Sequence, residues 1–342
     1  MTGPAIVIGT FLEANLVQRI AGAIPSARLI YESDLLPVPR FRCDHTGRPR
    51  DLRAADLERW RSLVQDADVY FDFDWLDAAA MPKVSPRLRW IQATSAGIGG
   101  FMRRTGLDTS GIAVTTAAGI HAVPLAEFAV MGALHFVKGV PHLQASQRDR
   151  RWEEYPSSQL AGLRALVVGL GGIGRMVAAK FSRLDVDVCG LGRDGRQYDV
   201  PGLTQVISRS DLDDILPAID ILVLACPLTP ETEGLIGAHQ ISTLKPQAIL
   251  VNVARGPVVD QAALTAALRD RRIAGACLDV FDDEPLPPDD PLWGFDNVLI
   301  SPHSASTVAT ENEELTDLFI DNLGRFLAGE PLRNRYDPAR GY

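Results

Sequence analysis

The chain has 342 residues, with 34 basic against 43 acidic side chains and a formal net charge of −9. That balance argues against nucleic acid and anionic membranes as partners, since both reward a basic surface. At 46% hydrophobic and 23% charged residues the chain can bury a full core without a disulfide or a metal, and its length points to two domains.

In chain order, the apolar run Ala5–Ile8 predicts a strand, residues 12–23 a helix, and residues 29–31 a second strand. Residues 36–50, rich in Pro, Arg and Gly, predict a loop. A helical pattern over 52–65 is followed by strand candidates at 68–73, 88–92 and 112–115. Strands alternating with helices imply a parallel sheet covered on both faces, so a flavodoxin-like domain is expected first. Residues 123–148 read as one long helical pattern, preceded by a small-residue stretch (TTAAGIHA) that suits a hinge. The polar segment HLQASQRDRRWEEYPSS reads as a projecting arm. The alternation then restarts with strands at 165–168, 186–191, 219–225, 248–253, 273–278 and 298–300, and helices at 173–184 and 261–269. A closing helix is expected over 307–328. The expected fold class is therefore α/β, with two doubly wound parallel-sheet domains, one flavodoxin-like and one of Rossmann type. The domains are expected at 1–119, with 302–342 returning to it, and at 120–301.

The four cysteines, Cys43, Cys189, Cys226 and Cys277, show no paired ligand spacing, and three lie in apolar runs. They read as reduced, buried thiols of a cytoplasmic protein with no metal site. The N-terminal MTGPAIVIGT has neither a basic start nor a long apolar run, so no signal peptide is expected. No apolar stretch reaches the roughly 18 residues of a membrane span.

The segment ALVVGLGGIG carries Gly169, Gly171 and Gly174 in G-x-G-x-x-G spacing, between an apolar strand and a helical pattern. In that context the first glycine permits the tight turn, the second lets backbone approach a pyrophosphate, and the third lets helix pack on strand. Gly172 and Ile173 open the helix whose free N–H groups and dipole face the phosphates. An NAD enzyme ends the next strand with an acid that accepts the ribose hydroxyls. Here Gly192 stands at that position, followed by Arg193 and, after a turn, Arg196. Guanidinium groups suit a 2′-phosphate, so NADP is expected over NAD. The alternatives are that both arginines are solvated loop cations, or that Asp194 serves as the NAD acid.

Three ionisable groups follow later strands. Arg255 ends VNVARG, Glu284 lies in LDVFDDEPLP after Asp279, and His303 lies in SPHSAS beyond the last strand. The carboxyl ends of strands are where ligands bind in open α/β sheets. A histidine is suited to pass a proton near neutral pH, a carboxylate can orient it, and an arginine fork can grip a carboxylate and polarise a ketone. Taken singly, each has a structural alternative: an ion-pair arginine, a loop acid, a surface histidine. Asp74 and Trp75, after an earlier strand, are candidates to face the same cleft or to begin a helix, and Trp293 reads as a packing anchor.

With the glycine turn, CPLTPET, VNVARG, LDVFDDEPLP, PLW and SPH in this order, the chain resembles the D-isomer-specific 2-hydroxyacid dehydrogenases, strongly over residues 85–335. The resemblance implies that Arg255, Glu284 and His303 are the substrate arginine, the carboxylate and the acid/base histidine. It implies a cofactor run past Cys226, Pro227, Thr232, Val253 and Ala254, with Asp279 near the nicotinamide. It implies a substrate loop at Ala96, Gly97 and Ile98, whose backbone amides can form an anion nest. In a common family version an aspartate stands where this chain has Gly99. The expected activity is reduction of a small 2-oxo acid, such as glyoxylate or hydroxypyruvate, by a homodimer. The alternatives are a dinucleotide-sensing, corepressor-like scaffold and a phosphoglycerate or phosphite dehydrogenase-like activity.

Overall fold

A computed structural model describes residues 3–342. The chain divides into two compact units, one running to His121 and resuming over Thr307–Tyr342, the other Ala122–Ser306.

The first unit holds a five-stranded parallel sheet: β1 (Ala5–Ile8), β2 (Arg28–Ile30), β3 (Val69–Phe71), β4 (Trp90–Gln92) and β5 (Ala113–Thr115), in the order β2-β1-β3-β4-β5. That is the flavodoxin-like order. All residues of β1, β3 and β4 are buried, as expected of parallel strands covered on both faces. The C-terminal helix Glu311–Ala328 covers one face, packing Leu315, Phe319 and Leu323 on Ile6, Ile8, Phe71 and Trp90. Phe319 meets Phe71 edge-on and stacks on Trp90, each at 5.2 Å. A buried polar chain joins the helix to the sheet. Asn322 donates to Gln92 Oε1 at 3.0 Å, Thr115 donates to the same oxygen at 2.8 Å, and the Trp90 indole donates to Thr115 at 2.9 Å. Glu311, 5% exposed, sits at the start of this helix, with His121 Nε2 at 3.2 Å and His45 Nε2 at 3.7 Å from its Oε1. Its burial works against the charged form, but the two histidines outweigh it and hold the carboxyl at about 2, from 4.5. His45 is thus a partner of a buried acid.

The second unit holds β6 (Arg164–Val168), β7 (Asp187–Leu191), β8 (Gln205–Ile207), β9 (Ile221–Leu224), β10 (Ile249–Asn252), β11 (Gly275–Leu278) and β12 (Val298–Ile300). All pairs are parallel, in the order β12-β11-β10-β9-β6-β7-β8. The order reverses between β6 and β9, and a dinucleotide-binding sheet carries its ligand at such a switch point. The single long helix expected over 123–148 is two helices, Ala122–Val137 and Val140–Arg148, bent by 61°. Gly139 takes a left-handed φ of +63° and Pro141 enters the next first turn, so the helical ladder cannot run through. The first helix lies close on the sheet: a Cβ on Gly132 would fall 2.5 Å from Cys277 Sγ. Among the described residues no single helix is long and apolar enough to cross a membrane.

Candidate active site

The glycine turn leaves the C-terminal end of β6. Gly169 has a φ of +95°, and a Cβ there would strike the Cys226 backbone at 2.6 Å. A Cβ on Gly174 would lie 1.8 Å from the Gly169 carbonyl oxygen, so helix Gly172–Ser182 packs on the turn only because that position is bare. Gly171 caps this eleven-residue helix, and a Cβ on it would meet nothing within 4 Å. Gly171 and Gly172 are exposed while Ile173 packs against the core. The turn thus leaves open space before a helix N-terminus, which fits a pyrophosphate.

At the end of β9, Cys226 is 7% exposed and burial pushes its thiol up to about 12. Thr232 Oγ1 donates to the Pro227 carbonyl at 2.7 Å and accepts from the Thr229 amide at 2.8 Å, which fixes this loop. Val253 and Ala254, each 4% exposed, continue from β10. Asn252 shapes their turn, accepting from the Ala254 amide at 3.0 Å and donating to the Arg255 carbonyl at 3.1 Å.

Arg255 follows in extended backbone, before the short 3₁₀ turn Gly256–Val258. A Cβ on Gly256 would fall 2.0 Å from the Phe281 carbonyl, so this glycine lets the β10 and β11 loops touch. Arg255 Nη1 donates to the Ala254 carbonyl at 2.6 Å. Burial lowers its pKa, against the opposing charges of Glu284 and Asp279.

Glu284 Oε1 accepts from the Phe281 amide at 3.0 Å, and its Oε2 lies 2.7 Å from His303 Nδ1. Partial burial raises the Glu284 pKa, but the His303 hydrogen bond, the Phe281 amide and the charges of His303 and Arg255 prevail and hold it below 4.5. The carboxylate is therefore an acceptor at neutral pH, and Nδ1 carries the hydrogen. The Nε2 position of the ring is left for another partner.

His303 has a left-handed φ of +51°, uncommon for a residue with a side chain. Asp279 imposes it. Buried to 2% exposure at the end of β11, its Oδ1 accepts from Ser301 Oγ at 2.6 Å, the Ser304 amide at 2.9 Å and the Ala305 amide at 3.0 Å. Burial raises the Asp279 pKa, against these hydrogen bonds and the His303 charge. Three strand ends thus deliver an arginine, a carboxylate and an imidazole whose backbone is pinned. Sequence reasoning missed Asn252 and Ser301 as shapers of the site; their signal is a short polar side chain at the last strand position or one beyond it.

In the first unit, Ala96, Gly97 and Ile98 form the loop between β4 and helix Gly99–Thr105, with Ile98 turned into the core at 3% exposure. A Cβ on Gly99 would fall 2.0 Å from the Gly341 carbonyl, so the C-terminal turn fills the space an aspartate would need. Asp74 is buried within the first unit. It is 6% exposed, accepts from the Trp60 indole at 3.1 Å and the Leu76 amide at 2.9 Å, and Trp75 packs on Trp60 at 5.8 Å. Trp293, expected as a packing anchor, is 52% exposed and its indole donates to the Pro287 carbonyl at 2.9 Å.

Residues 130–305 match the sequence model of the D-isomer specific 2-hydroxyacid dehydrogenase, NAD binding domain. The chain is 36% identical over 263 residues to a glyoxylate reductase of Thermofilum pendens, covering 75% of this chain and 77% of that protein. It is 29% identical over 290 residues to a hydroxypyruvate reductase of Blautia hydrogenotrophica, covering 81% of this chain and 87% of that protein. A crystal structure of a D-isomer specific 2-hydroxyacid dehydrogenase from Xanthobacter autotrophicus Py2, in complex with NADPH and MES, superposes with a TM-score of 0.78 at 29% identity, over 99% of this chain and 100% of that one. With a dinucleotide turn at the switch point and this match over most of its length, the chain belongs to the D-isomer-specific 2-hydroxyacid dehydrogenase family and is a nicotinamide-dinucleotide-dependent oxidoreductase.

Proposed function

We propose that the chain reduces a small 2-oxo acid of the glyoxylate or hydroxypyruvate type to the D-2-hydroxy acid, with Arg255, Glu284 and His303 as its catalytic set. The observation that carries this reading is the 2.7 Å contact from Glu284 to His303 Nδ1, which fixes the ring while its other nitrogen stays available. The cofactor, when bound, supplies the hydride. His303, as imidazolium, gives the proton from Nε2 to the carbonyl oxygen, and Glu284 balances the ring's charge. Arg255 pairs with the substrate carboxylate and stabilises negative charge growing on the carbonyl oxygen. Ala96, Gly97 and Ile98, whose backbone amides suit an anion, are proposed as substrate-binding residues.

The cofactor contacts are proposed at Gly169, Gly171, Gly172, Ile173, Gly174, Cys226, Pro227, Thr232, Val253, Ala254, Arg255, Asp279 and His303, with NADP preferred through Arg193 and Arg196. Support comes from Gly192 at the position of the ribose-binding acid, and from Asp194, whose Oδ1 accepts from the Arg209 amide at 3.4 Å. The NADPH bound to the Xanthobacter relative agrees with this reading. Residues 1–119 with 302–342 are proposed as the substrate domain and 120–301 as the cofactor domain. A homodimer is proposed through the helices Ala122–Val137 and Val140–Arg148, where Met131 and Leu143 are 43% and 47% exposed. The four free, buried cysteines support a cytoplasmic setting.

The test is loss of absorbance at the reduced-nicotinamide band with glyoxylate, hydroxypyruvate, pyruvate and phosphohydroxypyruvate, each with NADPH and NADH. Turnover of a 2-oxo acid is expected. Tight cofactor binding without turnover of any of them would instead point to a sensing scaffold.

A further inference from the structure

The loop after β7 is built around a side chain that the cofactor reading above does not use. The Tyr198 ring lies on Gly192: a Cβ on that glycine would fall 2.2 Å from Tyr198 Cε2 and 2.6 Å from Cζ. The space that an acid at position 192 would fill is therefore taken by an aromatic ring. The Tyr198 hydroxyl accepts from the Arg193 backbone amide at 2.8 Å. The Arg196 guanidinium lies over the Tyr198 ring, 5.2 Å from its centroid. Gly195, at φ +72°, makes the turn that brings Arg193 and Arg196 to the same ring, and the Arg196 amide closes it on the Arg193 carbonyl at 3.3 Å. The platform is tied back to the glycine turn. Arg175 donates from Nη1 to the Asp199 carbonyl at 3.0 Å and from Nε to the Leu170 carbonyl at 3.3 Å.

We propose that Tyr198 is the positioning residue for cofactor choice: it blocks the acid position with its ring and holds Arg193 and Arg196 toward the 2′-phosphate of NADP(H). The inference rests on the NADP reading given above and adds the residue that enforces it. Two arginines on a glycine-containing loop pay a large conformational cost to meet a dianion, and a ring that seats the Arg196 guanidinium and anchors the Arg193 backbone lowers that cost before binding. The same ring accounts for a bare glycine at the ribose position, because any side chain there must displace it.

The full-length protein is titrated with NADPH and with NADH, following nicotinamide fluorescence, so that no substrate need be identified. Tyr198→Ala is expected to raise the Kd for NADPH about tenfold while the Kd for NADH moves less than about threefold, the loss of roughly one ordered charge-assisted contact. Tyr198→Phe keeps the ring and loses the hydroxyl. It is expected to cost about threefold, for NADPH alone, and it decides the matter if the alanine variant does not fold. Gly192→Asp alone is expected to weaken both cofactors, and combining it with Tyr198→Ala to restore NADH binding and lower the NADPH/NADH preference below that of either single variant. An equal effect of Tyr198→Ala on both cofactors, or no effect on NADPH, overturns the inference and leaves the NADP reading standing. A wild-type protein that binds NADH more tightly overturns the NADP reading and this inference together.

Discussion

Glu284 and His303 face each other at 2.7 Å although they stand on different loops, one after β11 and one after β12. Neither loop could make the pair alone. Asp279 holds the histidine loop and the Phe281 amide holds the glutamate, so both halves are oriented before any substrate arrives.

His303→Gln is expected to lower kcat for 2-oxo acid reduction by about 10²–10⁴-fold, the usual contribution of a positioned general acid. The Kd for reduced cofactor should change little. Steady-state kinetics alongside a cofactor titration read both, and a variant that keeps its kcat removes His303 from the chemistry.

Glu284→Gln keeps the shape of the pair but not its charge. A fall in kcat of about ten- to a hundredfold is expected, with smaller change in cofactor affinity. Were kcat unaffected while thermal stability dropped, Glu284 would be a loop brace only.

Arg255→Lys is expected to behave as a loss rather than a conservative change, because an ammonium cannot offer the planar two-point fork. The KM for the 2-oxo acid should rise at least about tenfold, with kcat also reduced. Wild-type values in the lysine variant would show that a point charge suffices.

The glycine turn separates packing from binding. Gly174→Ala drives a methyl group into the Gly169 carbonyl and is expected to destabilise the second unit by roughly 1–3 kcal/mol or more. Gly171→Ala meets no protein atom, so the melting temperature should hold while dinucleotide affinity falls about tenfold or more. Equal melting temperatures for the two variants would contradict the packing described.

Glu311 gives the first unit a defined response to acid. Its carboxyl sits at about 2 in the fold against 4.5 as its ordinary value, so the unfolded chain binds the proton more readily. The stabilisation from this carboxylate is present above pH 4.5 and is lost as pH falls toward 2. Urea denaturation at a series of pH values should show Glu311→Gln lowering stability near neutrality and flattening the acid branch. Parallel curves for the two proteins would remove this carboxylate from the acid response.

Much of this was legible in order and spacing. Fully buried parallel strands leave continuous apolar runs, as in β6, β9 and β10, and the glycine turn announces itself between strand and helix. The short edge strand β8 escaped notice because Gln205 and Val206 are exposed, so it has no apolar run to read. The break at Gly139 lay hidden because apolar spacing continues on both sides of it. Residues whose partners are distant in sequence were the least readable. Asp74 spends its carboxylate on Trp60, and Tyr198 matters only because the chain folds it over Gly192. The hydrogen bonds of Asp279 to the loop of His303 come from residues more than twenty positions away, so spacing along the chain does not announce them.

The return of the chain to its first sheet has a consequence for biosynthesis. A nascent polypeptide emerging from the ribosome presents Ile6, Ile8, Phe71 and Trp90 long before Leu315, Phe319 and Leu323 exist to cover them. The central unit is contiguous and can complete itself first, while the opening segment waits with an uncovered apolar face for the last helix to be made. A chain ending after Ser306 is therefore expected to keep the residues of the dinucleotide fold while leaving the first sheet's apolar face uncovered.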